Sequence, residues 1–126
     1  MMTHARAAYM DASVATADPA RLLLMLCDRL VLDVQRGLAA QEIADHPEAH
    51  NQLVHAQEIV FELRSSLRID AFEGGEQLAA IYDHVHQQLI QANVRKDTET
   101  TTHCLRLVNQ IADMWHQVAT ELVPAA

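Results

Sequence analysis

Glycine and proline are scarce, three of each in 126 residues. A turn-rich all-β fold or a fibrous repeat needs more of both. Basic residues are scarce too: nine Lys and Arg stand against seventeen Asp and Glu, a formal charge of −8. That deficit removes the basic face that nucleic-acid binding requires. Only two cysteines occur, Cys27 and Cys104, far apart and outside any C-x-x-C pattern. Both fall on apolar helical stripes, so they read as reduced core residues of a cytosolic chain. The longest strongly apolar run, Leu22 to Cys27, lies between Arg21 and Asp28 and is far too short to span a membrane. Residues 1–17 lack a continuous apolar segment, being interrupted at Asp11 and Ser13, so no targeting signal is expected. The serines Ser13, Ser65 and Ser66 form no nucleophile elbow, and Gly74-Gly75 marks a loop rather than a phosphate cradle.

What the chain does have is apolar content at helical spacing. Half of the residues are apolar, too many for intrinsic disorder. At this length roughly two-thirds of the unfolded surface can be buried, enough for one core. Asp18-Pro19 is a helix start, with Asp to cap free amides and Pro fitting the first helical position. Leu23, Leu26, Cys27, Leu30, Val34 and Leu38 then recur at three and four. Leu22, Leu24, Met25, Val31 and Leu32 spread apolar character over most of that helix, which predicts a central position or a second, partner-facing side.

A turn at Asp45-His46-Pro47 precedes a second helix, opened by Pro47, with the seam Leu53, Ala56, Val60, Leu63 and Leu67. Ile59 and Phe61 fall off that seam and predict extra apolar surface. Asp70 to Gly75 breaks the pattern. A third helix is predicted from about Glu76 to Ala92, with Leu78, Ile81, Tyr82, Val85 and Leu89 inward and a turn over Asn93 to Asp97. Asp97 or Thr98 caps a fourth, whose stripe is Cys104, Val108, Ile111, Trp115, Val118 and Leu122 before Pro124 ends it. Helices of roughly 17–25 residues, about 25–38 Å, joined by short turns predict an all-α, antiparallel up-down four-helix bundle over residues 18–123. Residues 1–17 form a short N-terminal arm whose Tyr9, Met10 and Val14 can cap a groove.

Eight histidines raise the question of metal or phosphoryl chemistry. Asp83/His86 and Asp113/His116 are i,i+3 pairs, but Val85 and Trp115 point inward, which turns both pairs to solvent. His46 and His50 straddle a turn. No metal or cofactor is therefore expected. A phosphotransfer bundle is the alternative function. Its histidine would be His103, with Arg106 at +3 but Leu107 where such domains carry glycine at +4. Paired acids such as Glu42/Asp45 and Glu58/Glu62 read as a solvated face. No enzymatic activity is expected.

The order of several blocks resembles a known family, the flagellar secretion chaperones specific for flagellin (the FliS family). The carrying residues are Tyr9, then Val14-Ala15-Thr16-Ala17-Asp18-Pro19-Ala20-Arg21-Leu22 and Leu24-Met25-Leu26-Cys27-Asp28. Next come Ala56-Gln57-Glu58-Ile59-Val60, Glu62-Leu63 and Ser66-Leu67, then Gly74-Gly75-Glu76, Leu78, Ile81-Tyr82-Asp83, Leu89 and Ala92-Asn93, and lastly Trp115. Two positions depart from the pattern: Cys27 where the family has an aromatic residue, and Arg29 where it has glycine.

The resemblance implies a cytoplasmic helical chaperone. Its client would be the disordered C-terminal segment of flagellin, which becomes helical along the bundle, is kept from premature polymerisation and is delivered to a component of the flagellar export gate. It also implies that the N-terminal arm with its tyrosine covers a hydrophobic groove and is displaced by client. An empty groove is compatible with a client-free homodimer. With the surface argument above, the candidate contact set is Tyr9, Met10, Val14, Leu22, Met25, Ile59, Tyr82 and Asn93. Deleting residues 1–14 should then change client affinity or self-association. Neither nucleic acid nor membrane insertion is expected.

Overall fold

The structure, a computed structural model, describes residues 18–122. Tyr9, Met10, Val14 and the rest of the expected arm lie outside the described residues, as does Pro124. Four helices follow one another: α1 (Pro19–Glu42), α2 (His46–Ser66), α3 (Gly75–Arg95) and α4 (Thr98–Leu122). A single 3-10 turn, Ile69–Ala71, separates α2 from α3, and no strand occurs among the described residues.

Local chemistry sets the helix ends. The Asp18 carboxylate accepts from the Arg21 amide at 2.8 Å with Pro19 in the first turn, and Asp45 accepts from the Glu48 amide at 3.2 Å. Asp97 caps α4, accepting from the Glu99 amide at 3.1 Å and the Thr100 hydroxyl at 2.7 Å. The Thr100 bond above all holds the Asp97 carboxyl below its ordinary pKa. α3 runs past the expected turn at Asn93 to Arg95. Lys96 ends it in the left-handed conformation (φ 53°), its amide reaching back to the Ala92 and Asn93 carbonyls. Asn93 is therefore a helical residue rather than a turn residue.

The helices pack in a ring, α1 on α2, α2 on α3, α3 on α4 and α4 on α1. Side-chain pairs show that each neighbour runs antiparallel. Along the second seam, His50 at the start of α2 meets Asn93 at the end of α3, and Arg64 near the end of α2 meets Asp83 near the start of α3. The core is built from Cys27, Leu30 and Val34; Leu53, Ala56, Ile59, Val60 and Leu63; Leu78, Tyr82, Val85, Leu89 and Ala92; and Cys104, Val108, Ile111 and Ala112. Two expectations are corrected. Ile59 is fully buried, because α2 packs against both α1 and α3 and buries the adjacent pair Ile59-Val60. Ile81, expected inward, is 43% exposed, because the core line of α3 runs Leu78-Tyr82-Val85-Leu89 and leaves Ile81 at its edge.

Polar groups inside the bundle are paired, and no buried side-chain nitrogen or oxygen among the described residues lacks a partner. Thr101 donates to Gln41 at 2.6 Å and Gln41 to the Ala92 carbonyl at 3.1 Å, which ties α4, α1 and α3 together at one end. Gly37 sits where α1 and α2 approach closely: a Cβ there would lie 2.8 Å from Leu53 Cδ2. Gly74 adopts φ 91° to start α3. Beside it, a Cβ on Gly75 would run into the Ile69 carbonyl oxygen, a backbone atom that cannot rotate away. Gly75→Ala is expected to destabilise the chain by about 3 kcal/mol, read as a lower urea midpoint, since the 3-10 turn must shift.

Candidate functional site

An open cleft of about 360 Å³ lies on the α2–α3 seam, lined by Val60, Phe61 and Arg64 from α2 and Tyr82, Asp83 and His86 from α3. Val60 and Tyr82 form its floor, and both are core residues. Phe61 stands on one wall and is 64% exposed, an aromatic face open to a partner. The Arg64 Nε–Asp83 Oδ1 pair, 3.0 Å apart, bridges the two helices beside it. The half-buried His86 supplies the remaining polar edge. An apolar floor edged by a cation, a carboxylate and an imidazole suits the apolar stripe of an amphipathic helix.

The floor is fixed from behind. Trp115 of α4 donates its indole N–H to the Tyr82 hydroxyl at 2.8 Å, and Phe72, from the α2–α3 connection, packs edge-on to Trp115 with ring centroids 6.4 Å apart. Burial pushes the Tyr82 phenol up to about 12, with the Trp115 bond opposing the shift. Tyr82 is thus a neutral, oriented surface at the base of the cleft.

The structure brings together some of the expected contact residues and separates others. Tyr82 is in the cleft. Asn93 lies on the same seam ten residues beyond Asp83, about 15 Å along α3, half-buried and 2.9 Å from His50 Nδ1. Leu22 and Met25 are half-buried on α1, which packs on α2 and α4, so they belong to another face. Ile59 is in the core, and its neighbours Val60 and Phe61 reach the cleft instead.

One buried group escaped the reading of the sequence. Asp33 of α1 has no exposed side-chain surface, yet it lies on the apolar stripe between Leu30 and Val34. Arg29 Nε binds one of its oxygens at 2.9 Å and His55 Nδ1 of α2 meets the other. The signal was present: an acid on a core stripe with arginine four residues earlier. Arg29, a departure from the family pattern, is one of the two partners that hold this carboxylate.

No group of three or more metal-ligating side chains occurs among the described residues. His103 is half-buried and packs edge-on to His84, centroids 6.0 Å apart. Burial raises the Cys27 thiol to about 12, with Asp28 adding to the shift, and the Cys104 thiol to about 11. Both are free and buried, and both stay protonated at neutral pH. At pH 8 a thiol reagent is therefore expected to label them only at the rate of unfolding. The linkage has one sign. Above about pH 9 the unfolded thiols ionise while the folded ones hold their protons, so stability falls as pH rises. The fall is about 1.4 kcal/mol per pH unit per thiol until the folded thiols ionise, and urea midpoints from pH 8 to 11 measure it.

Fold and cleft together define a class: an all-helical, four-helix bundle with an apolar cleft along one seam. None of its described helices is long and apolar enough to cross a membrane. Comparison with known proteins narrows the class. The family described as "Flagellar protein FliS" matches residues 1–122. The chain is 32% identical over 110 residues to the flagellar secretion chaperone FliS of Bacillus subtilis (strain 168), covering 87% of this chain and 82% of that protein. The proteins of the same name from Vibrio cholerae and Salmonella typhimurium are 26% and 29% identical, covering 88% and 86% of this chain and 82% of each relative. The chain belongs to the FliS family.

Proposed function

We propose that the chain is a non-enzymatic, cytoplasmic export chaperone that binds the C-terminal segment of flagellin, keeps it from polymerising and hands it to a component of the flagellar export gate. The observation that carries this reading is the α2–α3 cleft, where Phe61 stands 64% exposed beside the buried Val60 and Tyr82. A disordered client segment folding into a helix along this seam would lay its apolar stripe over Phe61 and its polar flanks against Arg64, Asp83 and His86. Asn93 and His50 mark the far end of the same path. Tyr9, Met10 and Val14 compete with client in this reading, and two client-free copies can pair through the exposed surface. Leu22 and Met25 would serve a second stretch of client on the other face.

Seeded polymerisation of flagellin tests the reading. With an equimolar amount of the chain, filament growth is expected to stop, and flagellin and chaperone should co-elute one to one. Growth at the unchanged rate, with separate elution, overturns the proposal.

A further inference from the structure

Each of the four helix–helix seams carries a histidine. His55 of α2 faces Asp33 of α1, and His116 of α4 faces Asp28 of α1 at 2.7 Å. His50 of α2 meets Asn93 of α3, and His84 of α3 meets His103 of α4. Histidine is the side chain whose charge changes between pH 5 and 8. The four seams cannot respond alike. On both seams of α1 a protonated imidazole faces a carboxylate, so acid strengthens the pair. On the α2–α3 seam the Asn93 amide can turn to accept from a protonated His50, and the Arg64–Asp83 pair holds the other end beside His86. On the α3–α4 seam two imidazoles face one another, and acid makes them like charges.

The groups around these histidines sharpen the contrast. Arg106 Nη2 of α4 lies 3.5 Å from His103 Nδ1, so protonation gathers three cations at one place. Glu99, one turn before His103, is the acidic residue at helical spacing from it; Asp83, beside His84, is turned to Arg64 on the opposite seam. His86 lies on the cleft side of α3. Around Asp33 stand Arg29 and, one turn on, Arg36, with Glu58 one turn beyond His55. Near His116 stand Asp28 and, one turn earlier, Asp113. The α3–α4 seam is also the most sparsely packed of the four.

We propose that the bundle is polarised by pH: acidification sets His84 against His103 and loosens the α3–α4 seam while both seams of α1 tighten, so that α3 alone gains freedom. α3 carries Tyr82, Asp83 and His86, and Tyr82 takes its hydrogen bond from Trp115 across this seam. Loosening therefore tilts the floor of the cleft. That last consequence, a client site regulated by pH, rests on the chaperone reading; the polarity of the bundle does not.

Amide hydrogen exchange on the full, client-free chain at pH 7.5 and 5.5, corrected for intrinsic rates, tests it. Protection over residues 84–89 of α3 is expected to fall about two- to five-fold while that over residues 27–34 of α1 does not fall, the scale of a partly exposed charge pair. In the His84→Gln/His103→Gln variant the fall over residues 84–89 should vanish, while any tightening over residues 27–34 remains. In the unaltered chain the fall should shrink in 0.5 M NaCl, because the charges are accessible to salt. No fall over residues 84–89, a parallel fall over residues 27–34, or a fall over residues 84–89 that survives both the variant and the salt overturns the proposal. Because no client is present, neither result depends on whether flagellin binds.

Discussion

Replacing Arg29 and His55 together with leucine is expected to destabilise the chain by about 3–5 kcal/mol, the effect of stranding a buried charge. Asp33 has no exposed side-chain surface, and these two residues face its two oxygens. Arg29 and His55 are themselves 49% and 31% exposed, so their own loss of packing is small beside the carboxylate they leave behind. Either single replacement should cost less, because one partner remains. Adding Asp33→Leu to the double variant should restore most of the stability, since an apolar group in place of a buried ion network is commonly neutral or better. Urea midpoints at constant slope report all four variants. A loss below about 1 kcal/mol in the double variant would show that the carboxylate finds another partner or water.

Phe61→Glu is expected to weaken client binding by about 2–4 kcal/mol, which is a 30- to 1000-fold rise in Kd. Phe61 is the exposed aromatic wall of the cleft, and a carboxylate there would face the Asp83 side of the seam as well as the apolar stripe of the client. Stability should hardly change or should improve, because the side chain is mostly in solvent. That split between binding and stability separates a contact residue from a structural one. Ile59→Ala gives the opposite pattern, a stability loss of about 2–4 kcal/mol, because its side chain is in the core. Unchanged client affinity in Phe61→Glu would remove the cleft from the binding path.

The helices were legible because their apolar residues repeat at three and four and because Asp18-Pro19 and Pro47 announce two of the starts. The bundle follows from four such stripes and short turns. What the stripes could not reveal was which of two flanking residues turns outward. Ile59 and Phe61 are one residue either side of Val60, and only packing against both neighbours decides that Ile59 is buried and Phe61 is not. Asp33 was hidden for a related reason. One partner is a turn away, but His55 is 22 residues distant and is brought in by the α1–α2 turn. The end of α3 was misplaced because Lys96 takes the left-handed cap conformation usually left to glycine. Gly37 gave no local sign of its purpose, which is to let Leu53 approach.

The central claim is that this bundle captures a flagellin segment along the α2–α3 seam. Calorimetric titration of the full chain with the C-terminal segment of its own flagellin, followed by circular dichroism of the mixture, tests it most directly. The account predicts one-to-one binding, a negative heat-capacity change from buried apolar surface, and more helix in the mixture than in the separate parts. No heat and no gain in helicity with a soluble, intact segment would contradict it.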